Sequence, residues 1–184
     1  MPPHVLVIGG TGILAPAVET LAERGTVVSV VSRSAARVAA LRDGLAAAAG
    51  ARVNGVIADV TGPPALAAAL DEAAGTCGPI GLALVYQPFA PPEAWDTLVP
   101  RVNDLLVAVL VSAYAAEDAP SPPLRDGRHG RLLVRYLLLG WHRDADGVRW
   151  HTPEEVSAAA VGVADRRFSA VLGAVRPWTE RPGS

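Results

Sequence analysis

The sequence predicts an α/β fold, a doubly wound parallel sheet of about six strands sandwiched between two layers of helices. Three observations predict it. Strand-like and helix-like segments alternate along most of the 184 residues. The strand-like segments are continuous apolar runs, as expected of strands buried on both faces. The first of them, Val5-Leu6-Val7-Ile8, runs into Gly9-Gly10-Thr11-Gly12 and then into a helix-compatible segment. That is how a buried parallel strand opens onto a nucleotide-binding helix, so residues 1–184 are expected to form a single Rossmann-type domain.

In the opening turn, Gly9 lets the chain leave the strand sharply, and Gly12 carries no side chain to keep a pyrophosphate from the backbone. Thr11, Ile13 and Leu14 complete the turn, and Ala15 is small enough for close packing of helix on strand. The first helix is expected over 13–24, with Gly25 as its stop, and a second strand over 26–32. Ser34 caps a helix expected to run to residue 49, and a third strand covers 53–58. Pro63-Pro64 starts a helix to residue 74, and residues 80–86 form a fourth strand.

Residues 93–116 read as one long helical segment, interrupted by Pro100. Its apolar stretch, 105–111, needs cover on more than one face. The core could supply that cover, or a second copy of the same helix could; a homo-oligomer through 93–116 is expected. Proline-rich residues 117–130 read as a surface loop, 131–139 as the fifth strand, and Asp146-Gly147 as a turn. Thr152-Pro153-Glu154-Glu155 is a capping box with proline at the first helical position, which starts a helix reaching about residue 166. Residues 169–175 make a sixth strand.

Composition narrows the function. Half the residues are apolar (51%), 18% are charged, and the net charge is −2. No basic block offers nucleic acid or a membrane surface an electrostatic footprint. A single cysteine, Cys77, provides neither a disulfide framework nor a thiolate metal site, and no histidine pair has metal-ligand spacing. The N-terminus lacks a basic leader, and no apolar run is long enough to span a bilayer, so a cytoplasmic protein is expected.

The second strand ends at Ser32-Arg33-Ser34, where an adenosine ribose lies in such folds. An acidic residue there would accept from a free 2′-hydroxyl. This chain has Arg33 between two hydroxyls, with Arg37 one helical turn on, a set suited to a 2′-phosphate. NADP is therefore expected as cofactor rather than NAD.

The residues Gly9-Gly10-Thr11-Gly12-Ile13-Leu14-Ala15, Ser32-Arg33-Ser34 and Ala58-Asp59-Val60 resemble the short-chain dehydrogenase/reductase superfamily, in particular its atypical short members. Residues 149–155 and 173–178 resemble small bacterial proteins of the same kind. The resemblance implies that Asp59 and Val60 lie beside the adenine. Tyr86-Gln87-Pro88 stands where the superfamily usually has an Asn-Ala-Gly loop near the nicotinamide ribose. It also implies reduction of a carbonyl through a Tyr-x-x-x-Lys helix and a serine at the fifth strand's end. All 16 basic side chains here are arginine, so that dyad cannot exist. The fifth strand, read as 131–139, ends in Leu139-Gly140-Trp141 rather than serine.

Ligands in open parallel sheets bind beyond the strands' carboxyl ends, which nominates Tyr86 and Gln87 after the fourth strand, and Trp141, His142 and Arg143 after the fifth. Tyr86 and His142 are the candidate proton donors. Tyr114 and Tyr136 read as packing residues, and His151 as structural. The expected function is hydride transfer from NADPH to a C=O or C=N bond of a small molecule. The alternative is a non-catalytic NADP-binding sensor or interaction protein.

Overall fold

Residues 4–145 and 147–183 are described in the structure, a computed structural model. Its first half is built from His4–Ile8 (β1), Ala15–Glu23 (α1), Val27–Ser32 (β2), Ala35–Asp43 (α2), Ala47–Gly50 (α3) and Val53–Ile57 (β3). Pro63–Cys77 (α4), Ile80–Val85 (β4), Pro92–Leu98 (α5), Val102–Leu110 (β5), Gly127–His129 (β6) and Leu132–Leu139 (β7) follow. A hairpin of His142–Asp144 (β8) and Gly147–Arg149 (β9), then Pro153–Arg166 (α6) and Ala170–Leu172 (β10), complete the chain. Asp146, the first residue of the expected turn, lies outside the described residues; β8 and β9 pair on either side of it.

The main sheet has the order β3-β2-β1-β4-β5-β7-β10, every neighbouring pair parallel, with β6 added antiparallel to β7. It has eight strands where the sequence suggested about six. The extra ones are β5, expected as helix, and β6, too short at three residues to leave a periodic signal. Successive residues of β1 point to opposite layers. Val5 and Val7 pack with α1 and α6, while Leu6 and Ile8 pack with α4 and α5. Both faces are covered, which is why the strands carry no polar alternation.

The long helix over 93–116 does not exist. α5 ends at Leu98, a short 3-10 turn carries Pro100, and the apolar run becomes β5, bonded to β4 on one side and β7 on the other. Leu105 to Leu110 are all buried within the sheet and its two layers. A strand covered on four sides reads as a solid apolar run, which hydrophobicity alone cannot separate from a buried helix. No face of 105–110 is left for a second copy, so the ground for a homo-oligomer through this segment is gone. The helix expected over 34–49 is likewise two pieces, α2 and α3, with Gly44 capping the first.

The expected capping box of α6 is present, Thr152 Oγ accepting from Glu155 N at 3.3 Å and the Glu155 carboxylate from Thr152 N at 2.9 Å. No helix among the described residues is long and apolar enough to cross a membrane.

At the amino end of β1, fully buried His4 donates from Nδ1 to the Gly78 carbonyl (2.6 Å), which can only accept. Its Nε2 therefore accepts from the Ser29 hydroxyl (2.8 Å), and Ser29 in turn accepts from Asn54 (3.1 Å). Burial holds the imidazole pKa below its ordinary value of 6.5, against the Gly78 bond, which raises it. The sign follows from linkage. Above 6.5 both folded and unfolded chains are neutral at this site; below it the unfolded chain binds a proton that the folded one refuses. Stability should therefore fall as pH drops from 6.5 towards the folded pKa, by at most about 1.4 kcal/mol per pH unit. Urea midpoints between pH 7.5 and 5.5 (of which about one unit lies in the linkage range) should decline in the parent and decline less in His4→Gln; parallel curves would refute the assignment.

Candidate active site

A cleft of about 840 Å³ opens at the carboxyl ends of β1, β2, β3 and β4, where the strand order reverses direction from β1. This is the place an open parallel sheet offers a ligand. Gly9 leaves β1 with φ of +92°, and a Cβ on it would stand 3.1 Å from Tyr86 Cβ, so the turn is pressed against the end of β4. The Gly9 carbonyl accepts from Gly12 N (3.0 Å) and Leu14 N (3.2 Å), which fixes the loop before α1 begins. Gly12 is exposed on the cleft with bare backbone, and Thr11 and Ile13 line it beside Gly12.

Gly10 and Leu14 are turned the other way. A Cβ on Gly10 would meet Val18 at 2.9 Å and Val7 and Val30 at 3.1 Å, and Leu14 is fully buried among α1 and α6. Close packing of turn on sheet thus falls to Gly10. From these two residues only the backbone is available to a ligand.

At the far end of the cleft, Thr11 Oγ meets Ser32 Oγ at 3.2 Å, and Ser32 Oγ accepts from Ser34 N at 3.2 Å. Ser34 caps α2, accepting from Arg37 N at 3.3 Å. Arg33 and Arg37 stand exposed on the rim. Asp59 faces its own loop, Oδ1 accepting from Thr61 N (3.0 Å) and Thr61 Oγ (2.8 Å). Those bonds, and to a smaller degree the Arg33 guanidinium, hold its carboxyl below the usual range. Val60 lines the same end. Gln87 lies beside Tyr86 at the opposite end, 5% exposed, with amide oxygen and nitrogen both buried and without a hydrogen-bond partner. Bare backbone at a helix start, two unpaired guanidinium groups and an orphaned amide make a donor set that fits a phosphorylated dinucleotide.

Tyr86 and Ile13 also wall a second cavity of about 260 Å³, over the ends of β5 and β7. Ser112, His151, Trp150 and Arg181 supply its polar surface, and Val111, Leu139 and Val156 its apolar one. Burial raises the Tyr86 phenol pKa, so its hydroxyl stays protonated. Ser112 corrects the strand count. The fifth strand is β5, and it does end in serine, two residues beyond Leu110, buried and on the cavity wall. Reading 105–111 as helix hid it.

The histidines change places as well. His142 sits in β8, Nε2 2.8 Å from Asp144 Oδ2 and one-third exposed, and lines neither cavity. Its ring centre is 6.0 Å from that of His151. His151, expected to be structural, lines the small cavity with its side chain 6% exposed. Its Nδ1 is 3.1 Å from Glu155 Oε2, and its Nε2 is buried without a partner. Gly173, with φ of +76°, leaves room for that end of the ring; a Cβ there would fall 2.3 Å from Nε2. Glu155 is anchored by Arg149 through two bonds of 2.9 Å and by the Thr152 amide, and these hold its carboxyl far below the usual range.

His142, His151 and Glu155 offer ligand atoms within 4.8 Å of one another, a cluster that sequence separation concealed. The Glu155 oxygens are already committed to Arg149, Thr152 and His151, so the cluster reads as an ion-pair network.

No protein-family model and no curated protein matches the chain. Solved structures do. A short-chain dehydrogenase/reductase from Serratia marcescens BCRC 10948 is similar over 94% of this chain and 98% of its own, at 16% identity and a TM-score of 0.67. A dehydrogenase/reductase from Sinorhizobium meliloti 1021 matches over 92% and 93%, at 16% identity and a TM-score of 0.69. A short-chain type dehydrogenase/reductase from Mycobacterium marinum matches over 92% and 93%, at 15% identity and a TM-score of 0.68. The chain therefore has the fold of the short-chain dehydrogenase/reductases, a parallel Rossmann-like sheet with flanking helices.

Proposed function

We propose that the chain is an NADP-dependent oxidoreductase that reduces a C=O or C=N bond of a small molecule. One observation carries the reading: the large cleft at the strand ends and the small cavity meet at a shared wall, Tyr86 and Ile13. A nucleotide site that ends against a separate small-molecule cavity is what hydride transfer needs, and what a sensor does not. The fold of the similar solved structures supports it.

The turn from Gly9 to Gly12 and the start of α1 would hold the pyrophosphate, Arg33, Ser34 and Arg37 the 2′-phosphate, and Asp59 and Val60 the adenine edge. Gln87 would meet the nicotinamide end with its orphaned amide. When bound, NADPH supplies the hydride. The Ser112 and Tyr86 hydroxyls donate hydrogen bonds to the substrate's oxygen or nitrogen. The His151 imidazole, oriented by Glu155, delivers the proton that the departing double bond requires.

Assayed against panels of ketones and imines, the protein should consume NADPH with at least one class. His151→Gln should lower kcat on a ketone by about 100-fold or more, the range for loss of a positioned general acid, with NADPH affinity unchanged. Tyr86→Phe should cost about tenfold, one hydrogen bond's worth. Tight NADPH binding with no turnover on any panel would instead favour the sensor.

A further inference from the structure

We propose that the small cavity is a carboxylate site, so that its ligand is a small carbonyl or imine compound bearing a carboxylate group. Arg181 carries the only formal charge in the cavity wall. Its guanidinium carbon lies 5.2 Å from the ring centres of both Trp150 and Trp178. Both rings therefore lie within cation–π range of the guanidinium. The guanidinium donors have no acceptor: the Arg181 side chain forms no hydrogen bond or ion pair with a described residue, and its Nε is buried and unpartnered.

Three carboxylates on neighbouring segments are spent elsewhere. Glu155 is held by Arg149 and His151, Glu180 by Arg143 at 2.9 Å, and Asp144 by His142. The cavity is thus left with an uncompensated positive charge, a second orphaned donor or acceptor in His151 Nε2, and the Ser112 hydroxyl. A planar guanidinium fork without a protein acceptor, beside two tryptophans, is a group that recognises a carboxylate in a bidentate manner. The apolar wall of Val111, Leu139 and Val156 and the volume of about 260 Å³ confine the rest of the ligand to a small aliphatic body.

This inference names the substrate class of the proposed reductase and rests on that reading for the ligand's fate, but not for its binding. The test therefore needs no turnover. Trp150 and Trp178 flank the guanidinium, so tryptophan emission of the whole protein is titrated with 2-oxobutanoate and with its methyl ester, with and without saturating NADP. The acid should give a saturable change and the ester none. Arg181→Met should weaken acid binding by about tenfold or more, and Arg181→Lys, which keeps the charge but loses the fork, should fall between. NADP titration of each variant checks that it is folded. Equal responses to acid and ester, no response to either, or acid binding that survives in Arg181→Met would overturn the inference. Reduction of neutral ketones alongside any of those results leaves the reductase standing; acid binding with no turnover removes the reductase and keeps the site.

Discussion

Replacing Arg33 with alanine is expected to weaken NADPH binding by about 10- to 100-fold while leaving NADH binding nearly unchanged, so that the preference between them collapses. Hydrogen bonds to a charged group contribute about 1.5–3 kcal/mol, and each 1.4 kcal/mol is about tenfold in affinity. Arg33 follows Ser32 at the carboxyl end of β2, and no acid stands in Ser32-Arg33-Ser34 to accept from a free ribose hydroxyl. The one carboxylate nearby, Asp59, turns both of its shorter bonds to Thr61. Arg33 and Arg37 therefore keep their charge for a ligand. Because both are exposed, part of the effect should fade with added salt. Arg37→Ala should act in the same direction and less strongly. Calorimetric titration of both nucleotides measures the ratio; equal affinities in the parent protein would end the NADP assignment.

The largest effect on stability is expected at Gly140. A Cβ placed there would lie 2.0 Å from the Ala174 carbonyl oxygen and 3.0 Å from that of Leu172, both backbone atoms. They cannot step aside, because the same junction holds three hydrogen bonds: Gly140 N to Leu172 O (2.9 Å), Trp141 N to Ala174 O, and Ala174 N to Trp141 O (each 2.8 Å). Gly140→Ala has to break that clasp and expose fully buried Trp141. A loss of about 3 kcal/mol or more is expected, in the class of overpacking combined with broken backbone bonds. Gly75→Ala is the control. It lies in α4 with nothing within 4 Å of the new methyl, and should gain about 0.5–1 kcal/mol. Urea midpoints of the two variants moving the same way would contradict this account.

Much of the fold was legible because its signals are local. The run from Val5 to Gly12, the glycine stops and the capping box at Thr152 each depend on a few adjacent residues. The large cleft was legible for the same reason, since most of its lining residues follow directly from strand ends. β5 was not. A strand at the centre of a two-sided sheet has no solvent face, and so no polar residue to mark its period between Leu105 and Leu110. That one misreading displaced the strand count, hid Ser112 and moved attention to His142. The small cavity was illegible for a different reason. Ile13, Ser112, His151 and Arg181 come from four distant segments, and only the sheet order brings them together.

The connection from β5 to β7 has a consequence for engineering. Among the described residues it holds a four-residue 3-10 turn, the three-residue β6 and proline-rich loop, but no α-helix. A Tyr-x-x-x-Lys pair needs a helical turn to bring residues four apart onto one face. The familiar dyad therefore cannot be restored by installing a lysine near Tyr114; a whole segment would have to be grafted. Under the proposed function the proton comes instead from the opposite margin, where His151 at the start of α6 and the C-terminal tail meet Ser112 and Tyr86 over the end of the sheet.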